Sequence, residues 1–260
     1  KKALTESKKD LDKFYHPEVN FSFPDMKTQI DVALQEYKSE GIKAEDVNLI
    51  MLTGGLTNIG SANIINPFNS NQELKKLTEK YCNDEMFEFL QYANRSFPNA
   101  WLTVIGYFPM VSKKSSTGEI YNAILELYEF PRPTKPLMNN LLTKQFFKIL
   151  HNKMNKRSRI WFESSNQALQ TAVRRFNEQK NMQKAVFVKS PVTEETCFGT
   201  KNALLFGVGK KGRTEDELYD IRQKVCSEEI NKIKDVKLKF KTRFCEMSAI
   251  GHPNVEGSKE

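Results

Sequence analysis

The sequence predicts an α/β fold built on a parallel sheet. Short continuous apolar runs occur at 47–55 (VNLIMLTGG), 101–109 (WLTVIGYFP) and 184–191 (KAVFVKSP). Uninterrupted runs of this length read as strands buried on both faces, the pattern of a parallel sheet. Long stretches of helical periodicity separate them, so strand, helix and strand alternate as in βαβ units. The 260 residues are 39% hydrophobic, enough to bury a sizeable core.

The first dozen residues are charged and form no predicted element. Residues 25–39 place Met26, Ile30, Ala33, Leu34 and Tyr37 at helical spacing, with Asp25 at the N-terminus and Gly41 just beyond the end. The first strand follows. Residues 71–94 return to helical periodicity through Leu74, Leu77, Tyr81, Phe89, Leu90 and Ala93, and Pro98 stops them. The second strand is 101–109. About 70 residues then precede the third strand, more than a simple crossover needs. They hold a Pro-rich break, FPRPTKP at 130–136, and helical stretches at about 141–155 and 159–180. This region, about 113–182, reads as a helical insertion in a single domain spanning 1–260. Towards the C-terminus come a loop rich in Gly and Lys (207–217), a helix at about 214–232, a strand-like stretch at 236–244 and a closing loop with His252.

Composition excludes several classes. With 18 Phe and 8 Tyr the chain is not disordered throughout, and no window approaches a membrane-spanning apolar length. The formal charge is +8, but residues 144–189 alone carry 11 Lys/Arg against 2 Glu, a balance of +9, leaving the rest at −1. A uniformly basic nucleic-acid binder is not indicated. The basic segment could meet an anionic surface, or be a solvated helix face. Cys82, Cys197, Cys226 and Cys245 form no CxxC pair, and they permit either two disulfides or buried thiols. Three scattered histidines give no metal spacing. GVGKKG (207–212) lacks the spacing of a phosphate loop. Neither a cofactor nor a metal is expected.

Two loops carry chemistry. TGGLTNIGSANIINP (53–67) follows the first strand, where ligands of open α/β sheets bind. Gly54 and Gly55 allow a sharp turn there, while Thr57, Asn58, Ser61 and Asn63 supply polar side chains. Such a loop can stabilise an oxyanion, or be a polar turn and nothing more. AIGHPNVEG (249–257) places His252 in a Gly-His-Pro-Asn loop. Histidine titrates near neutrality and suits a general base; a structural loop histidine is the plainer alternative. His16 lies in a polar entry segment, and His151 reads as part of a solvated basic helix.

Taken in order, VNLIMLTGGLTNIGSANIINPF, WLTVIGYFPMVS, WFESSNQAL, KAVFVKSP, ALLFGVG and SAIGHPNVEGSKE resemble a bacterial subgroup of the SGNH hydrolases, the GDSL-like lipases and esterases. HPEVNFSFPDMKTQI is similar to the segment before the third conserved block of that family. The ordered set covers nearly the whole chain. The resemblance implies a flavodoxin-like three-layer α/β/α domain that cleaves carboxyl esters with a serine nucleophile. It assigns His252 as the catalytic histidine and maps the third block onto Gly55-Leu56-Thr57-Asn58, which makes Gly55, Thr57 and Asn58 the oxyanion-hole candidates. Thr57 stands where the family has Asn, and Asn58 where it has Asp. The aspartate three positions before the histidine is replaced by Ala249, and Glu246 is the nearest acid.

The serine block is expected upstream of Lys1: the chain opens on KKALTESKKD without an initiator Met, and both ends are expected to be cut from a longer protein. Ser61 is a poor substitute, lacking a nucleophile elbow. The expected activity is ester hydrolysis on a small-molecule or lipid substrate, with export implied by the family and no specific nucleic-acid partner. The alternative is a catalytically degenerate relative that uses the same crevice for binding or scaffolding.

Overall fold

The computed structural model describes residues 25–120, 123, 141–208, 216, 218–232, 242–247 and 249–260. The chain divides into two compact units, 1–108 with 156–190 and 109–155 with 191–260.

The first unit opens with α1 (Met26–Ser39). The Asp25 carboxylate caps it, accepting from the Thr28 N–H at 3.0 Å and satisfying one of the unpaired donors of the first turn. That N–H holds the Asp25 carboxyl below the usual carboxylate range. Gly41, at φ 72°, reverses the chain, and the Ile42 N–H returns to the Tyr37 carbonyl at 2.8 Å.

Strand β1 (Leu49–Leu52) leads into two short helices, α2 (Leu56–Ile59) and α3 (Ser61–Ile65). The helix expected over 71–94 is α4 (Asn71–Thr78) and α5 (Glu85–Ser96), joined by a π-helical turn, Glu79–Asp84. The wider turn buries Cys82 and Asn83. Strand β2 (Trp101–Ile105), α6 (Leu141–Lys180) and β3 (Ala185–Val188) follow. The sheet order is β1-β2-β3, parallel throughout, with Leu49 opposite Trp101 and Leu102 opposite Ala185. The chain is thus a mixed α/β protein with a parallel sheet flanked by helices, consistent with the three-layer α/β/α class.

Two expectations change. The strands are not buried on both faces. Leu52, Leu102, Val104 and Ala185 are buried, but Leu49 is 55% and Met51 65% exposed, and Trp101 and Val188 are also exposed. Parallel pairing fixes hydrogen bonds; burial of a face needs a second layer over it. In addition, α6 is one 40-residue helix rather than two stretches. No Gly or Pro lies within it to break the run. Trp161, Leu169, Ala172 and Phe176 on α6 are fully or nearly fully buried and belong to the core of the first unit. The division of the chain falls within α6, between residues 155 and 156.

In the second unit, Ser112 and Ser115 fasten the segment after Pro109. Ser112 Oγ donates to the Glu194 carbonyl at 2.7 Å, and Ser115 Oγ donates to the Phe198 carbonyl at 2.6 Å. Helix α7 (Tyr219–Lys232) is joined to α8 (Thr242–Met247) by the Cys226–Cys245 disulfide, while Cys82 and Cys197 are free and buried. Of the strand-like 236–244, residues 242–244 lie in α8 and the remainder is outside the described residues. Most of the Gly/Lys loop at 207–217 is outside them as well.

Candidate functional site

The turn after β1 is shaped by what cannot fit there. A Cβ on Gly54 would strike the Met26 thioether. Gly55 adopts φ 107°, and a Cβ there would sit 2.7 Å from Cys82 Sγ. Both the backbone conformation and the space require glycine. Burial, with the Glu79 charge adding to it, pushes the Cys82 thiol up to about 12. Cys82 is a neutral packing group beneath the turn, unsuited to act as a nucleophile.

Gly55 is the N-cap of the single turn α2, which the Gly60 N–H closes on the Leu56 carbonyl at 2.8 Å. Thr57 and Asn58 lie on that turn and are exposed. Neither side chain has a hydrogen-bond partner among the described residues. The Leu56 N–H is taken: it donates to Tyr107 Oη at 3.1 Å. This amide is therefore not available to an oxyanion, whereas the Thr57 and Asn58 side chains are exposed and uncommitted.

Sequence reasoning missed three residues that hold this region. Tyr107 is buried against Trp161, ring centroids 4.8 Å apart. Burial pushes the phenol up to about 12, so it stays neutral. Asn166 on α6 clamps the Tyr107 backbone: Oδ1 accepts from its N–H and Nδ2 donates to its carbonyl, both at 2.9 Å. Arg157, 2% exposed, donates to the Ile64, Asn63 and Asn69 carbonyls and to Asn71 Oδ1, at 2.8–3.2 Å. The available signal was polar residues on the buried stripe of a helix, where Ser158, Ser165, Asn166 and Arg157 interrupt the apolar pattern.

Gly55, Thr57 and Asn58 lie in the first unit and His252 in the second. The His252 loop is strapped to residues 203–206. Phe206 N–H donates to the His252 carbonyl at 2.8 Å, Gly251 N–H to the Phe206 carbonyl at 3.0 Å, and Asn254 Nδ2 to the Ala203 carbonyl at 2.7 Å. Leu205 and Pro253 form an antiparallel bridge. The backbone is tied down while the imidazole is exposed and has no hydrogen-bond partner among the described residues.

Glu246 is committed to arginines and has no bond to the His252 ring. Its carboxylate pairs with Arg243 at 3.1 Å, and its carbonyl accepts from Arg222 Nε at 2.8 Å. Ala249 meets the histidine only through its carbonyl, which accepts the His252 N–H at 3.0 Å. Ser61 opens α3 and is half-buried. His151 is not on a solvated face: it is half-buried, and its Nε2 meets the Ser112 carbonyl at 3.1 Å. His16 lies outside the described residues.

The basic segment is partly consumed internally. Arg157 is buried, Arg175 bonds Asp84 and Asn83, Arg159 and Arg174 pair with Glu163 and Glu178, and Lys184 bonds the Asn99 carbonyl. An open groove of about 560 Å³ between α6 and β3, lined by Gln170, Arg174, Asn177 and Phe187 among others, includes none of the sequence-predicted residues. Among the described residues no group of three or more metal-ligating side chains assembles, and no helix is long and apolar enough to cross a membrane. Searches against family models, curated proteins and solved structures find no match to this chain.

Proposed function

We propose that this chain is the body of a serine-type ester hydrolase of the SGNH kind. One observation carries the reading. At the carboxyl end of a strand in a parallel sheet, a glycine turn leaves two polar side chains, Thr57 and Asn58, exposed and uncommitted. That is where α/β enzymes place their ligands. In the proposed reaction, His252 takes the proton of a serine hydroxyl as its oxygen attacks the ester carbonyl. The turn donates to the oxygen that gains the negative charge. The imidazolium then protonates the departing alcohol, and water repeats the sequence to release the acid. The serine that attacks is the residue a fluorophosphonate label would identify.

Without a carboxylate on the imidazole, the mechanism is a Ser–His dyad. Among the described residues the His252 ring has no hydrogen-bond partner, so no acid orients it. That same observation favours a second reading, a degenerate relative that binds rather than cleaves.

The test is hydrolysis of p-nitrophenyl acetate and butyrate by the full natural polypeptide and its His252→Ala variant, with fluorophosphonate labelling to locate the serine. The enzyme reading expects a labelled serine and a loss of about a thousandfold or more in kcat for His252→Ala. Equal rates remove His252 from the mechanism. Neither hydrolysis nor labelling in the wild type leaves the binding module.

A further inference from the structure

We propose that Tyr107 and Asn166 are positioning residues that set the Gly55–Asn58 turn, aiming Thr57 and Asn58 from the carboxyl end of the neighbouring strand β2. The catalytic half of this proposal rests on the ester-hydrolase reading; the geometric half does not.

The contacts run in one unbroken line. The Asn166 amide meets the Tyr107 backbone as a neighbouring strand would, one bond accepted and one donated, and Nδ2 also donates to the Phe162 carbonyl of its own helix at 2.9 Å. Gly106 makes this approach possible, since a Cβ there would collide with Asn166 Oδ1 and come within 2.6 Å of the Phe187 ring. Its own N–H is tied to the Val188 carbonyl at 2.7 Å. Tyr107 therefore leaves β2 with its backbone fixed on both sides. Its ring lies against Trp161, and its hydroxyl reaches the Leu56 N–H, 51 residues back in the chain.

Leu56 is the first residue of a one-turn helix, so its N–H has no partner within that helix. A helix this short has no stability of its own. What holds it must come from outside, and Tyr107 supplies that bond at the residue between Gly55 and Thr57. A tyrosine used only as filler would bury its hydroxyl for no return, and phenylalanine would pack as well. Here the hydroxyl is spent on the turn. Asn166 does not reach the turn; it acts through Tyr107, whose hydroxyl would drift if the backbone beneath it moved.

The experiment measures amide hydrogen exchange by NMR on the full chain, for the wild type, Tyr107→Phe and Asn166→Asp. In the wild type the Leu56 amide is protected, and it stays so from pH 6 to 9 because it donates to a buried phenol oxygen. Tyr107→Phe, which keeps the ring, is expected to speed Leu56 exchange about tenfold while Leu102 and Val104 keep their protection. Asn166→Asp, which sets an acceptor against two carbonyls, is expected to do the same. An unprotected Leu56 amide in the wild type overturns the proposal whether or not the variants fold. Unchanged Leu56 exchange in folded Tyr107→Phe overturns it as well.

The catalytic half is read separately, on the full natural polypeptide with an ester substrate. Tyr107→Phe is expected to lower kcat about tenfold with KM within about twofold, because an aiming defect is felt where the oxyanion forms. A wild type that cleaves no ester overturns the function reading and leaves the exchange result standing. A variant that loses Leu56 protection but keeps kcat overturns the catalytic half alone.

Discussion

Gly55 and Arg157 show how single residues set the turn. Gly55 is constrained twice, by φ 107° and by Cys82 Sγ at 2.7 Å from where a Cβ would be. The two constraints are separable by mutation. Gly55→Ala should cost about 2–4 kcal/mol, part conformational strain and part overlap with the thiol. In the Gly55→Ala/Cys82→Ala double variant the overlap is gone and the strain remains. The pair should therefore be less destabilised than the sum of the singles, by about 1 kcal/mol. Urea midpoints at constant m-value read this directly. An additive cycle would show that the sulfur is not what excludes the side chain. Arg157 acts on the segment downstream. Four acceptors from residues 63–71 converge on one buried guanidinium, whose pKa burial lowers but whose charge persists. Its fork is what lets one side chain hold several carbonyls, and lysine would not reproduce it.

The elements divide into those that packing supports and those that need a staple. Helix α6 is of the first kind: its last two-thirds carry Trp161, Leu169, Ala172 and Phe176 into a core, and burial of such side chains is worth about 1.5–3 kcal/mol each. Helices α7 and α8 are of the second kind. Few of their residues are buried, and Cys226–Cys245 joins them across a sequence separation of 19. A loop of that length gives about 3 kcal/mol by restricting the unfolded chain. The Cys226→Ala/Cys245→Ala variant should lose roughly that amount in denaturant unfolding, and wild-type protein in reductant should match it. An unchanged midpoint would mean that Arg222, bonded to Asp216 and the Glu246 carbonyl, already carries the load.

At the scale of the whole molecule, the +8 charge is less available than its sum suggests. The surplus lies in residues 144–189, and within that stretch Arg157 is buried while Arg159, Arg174 and Arg175 have acidic partners. Binding to DNA or to anionic vesicles should accordingly be weak. The logarithm of the binding constant should fall against the logarithm of salt with a slope no steeper than about −6, since seven basic residues of the stretch remain and each neutralised phosphate adds about 0.9. A slope near −8 would show that the paired arginines exchange their partners for phosphates.

Hydrophobic patterning and glycine placement were legible from the sequence, because both are local. The runs at 47–55, 101–109 and 184–191 contain β1, β2 and β3, and Asp25 and Gly41 bound α1 where capping chemistry puts them. The polar glycine turn after β1 was readable for the same reason. Only the tertiary structure decided that α6 is one helix, that Leu49 and Met51 of β1 are exposed, and that Glu246 belongs to Arg243. It also decided which residues brace the turn. Tyr107 meets Leu56 and Asn166 across 51 and 59 positions of chain, and Arg157 meets Asn63 across 94. Contacts at such separations leave no periodicity behind, since a side chain's partner is chosen by the packing of elements and not by its neighbours along the backbone.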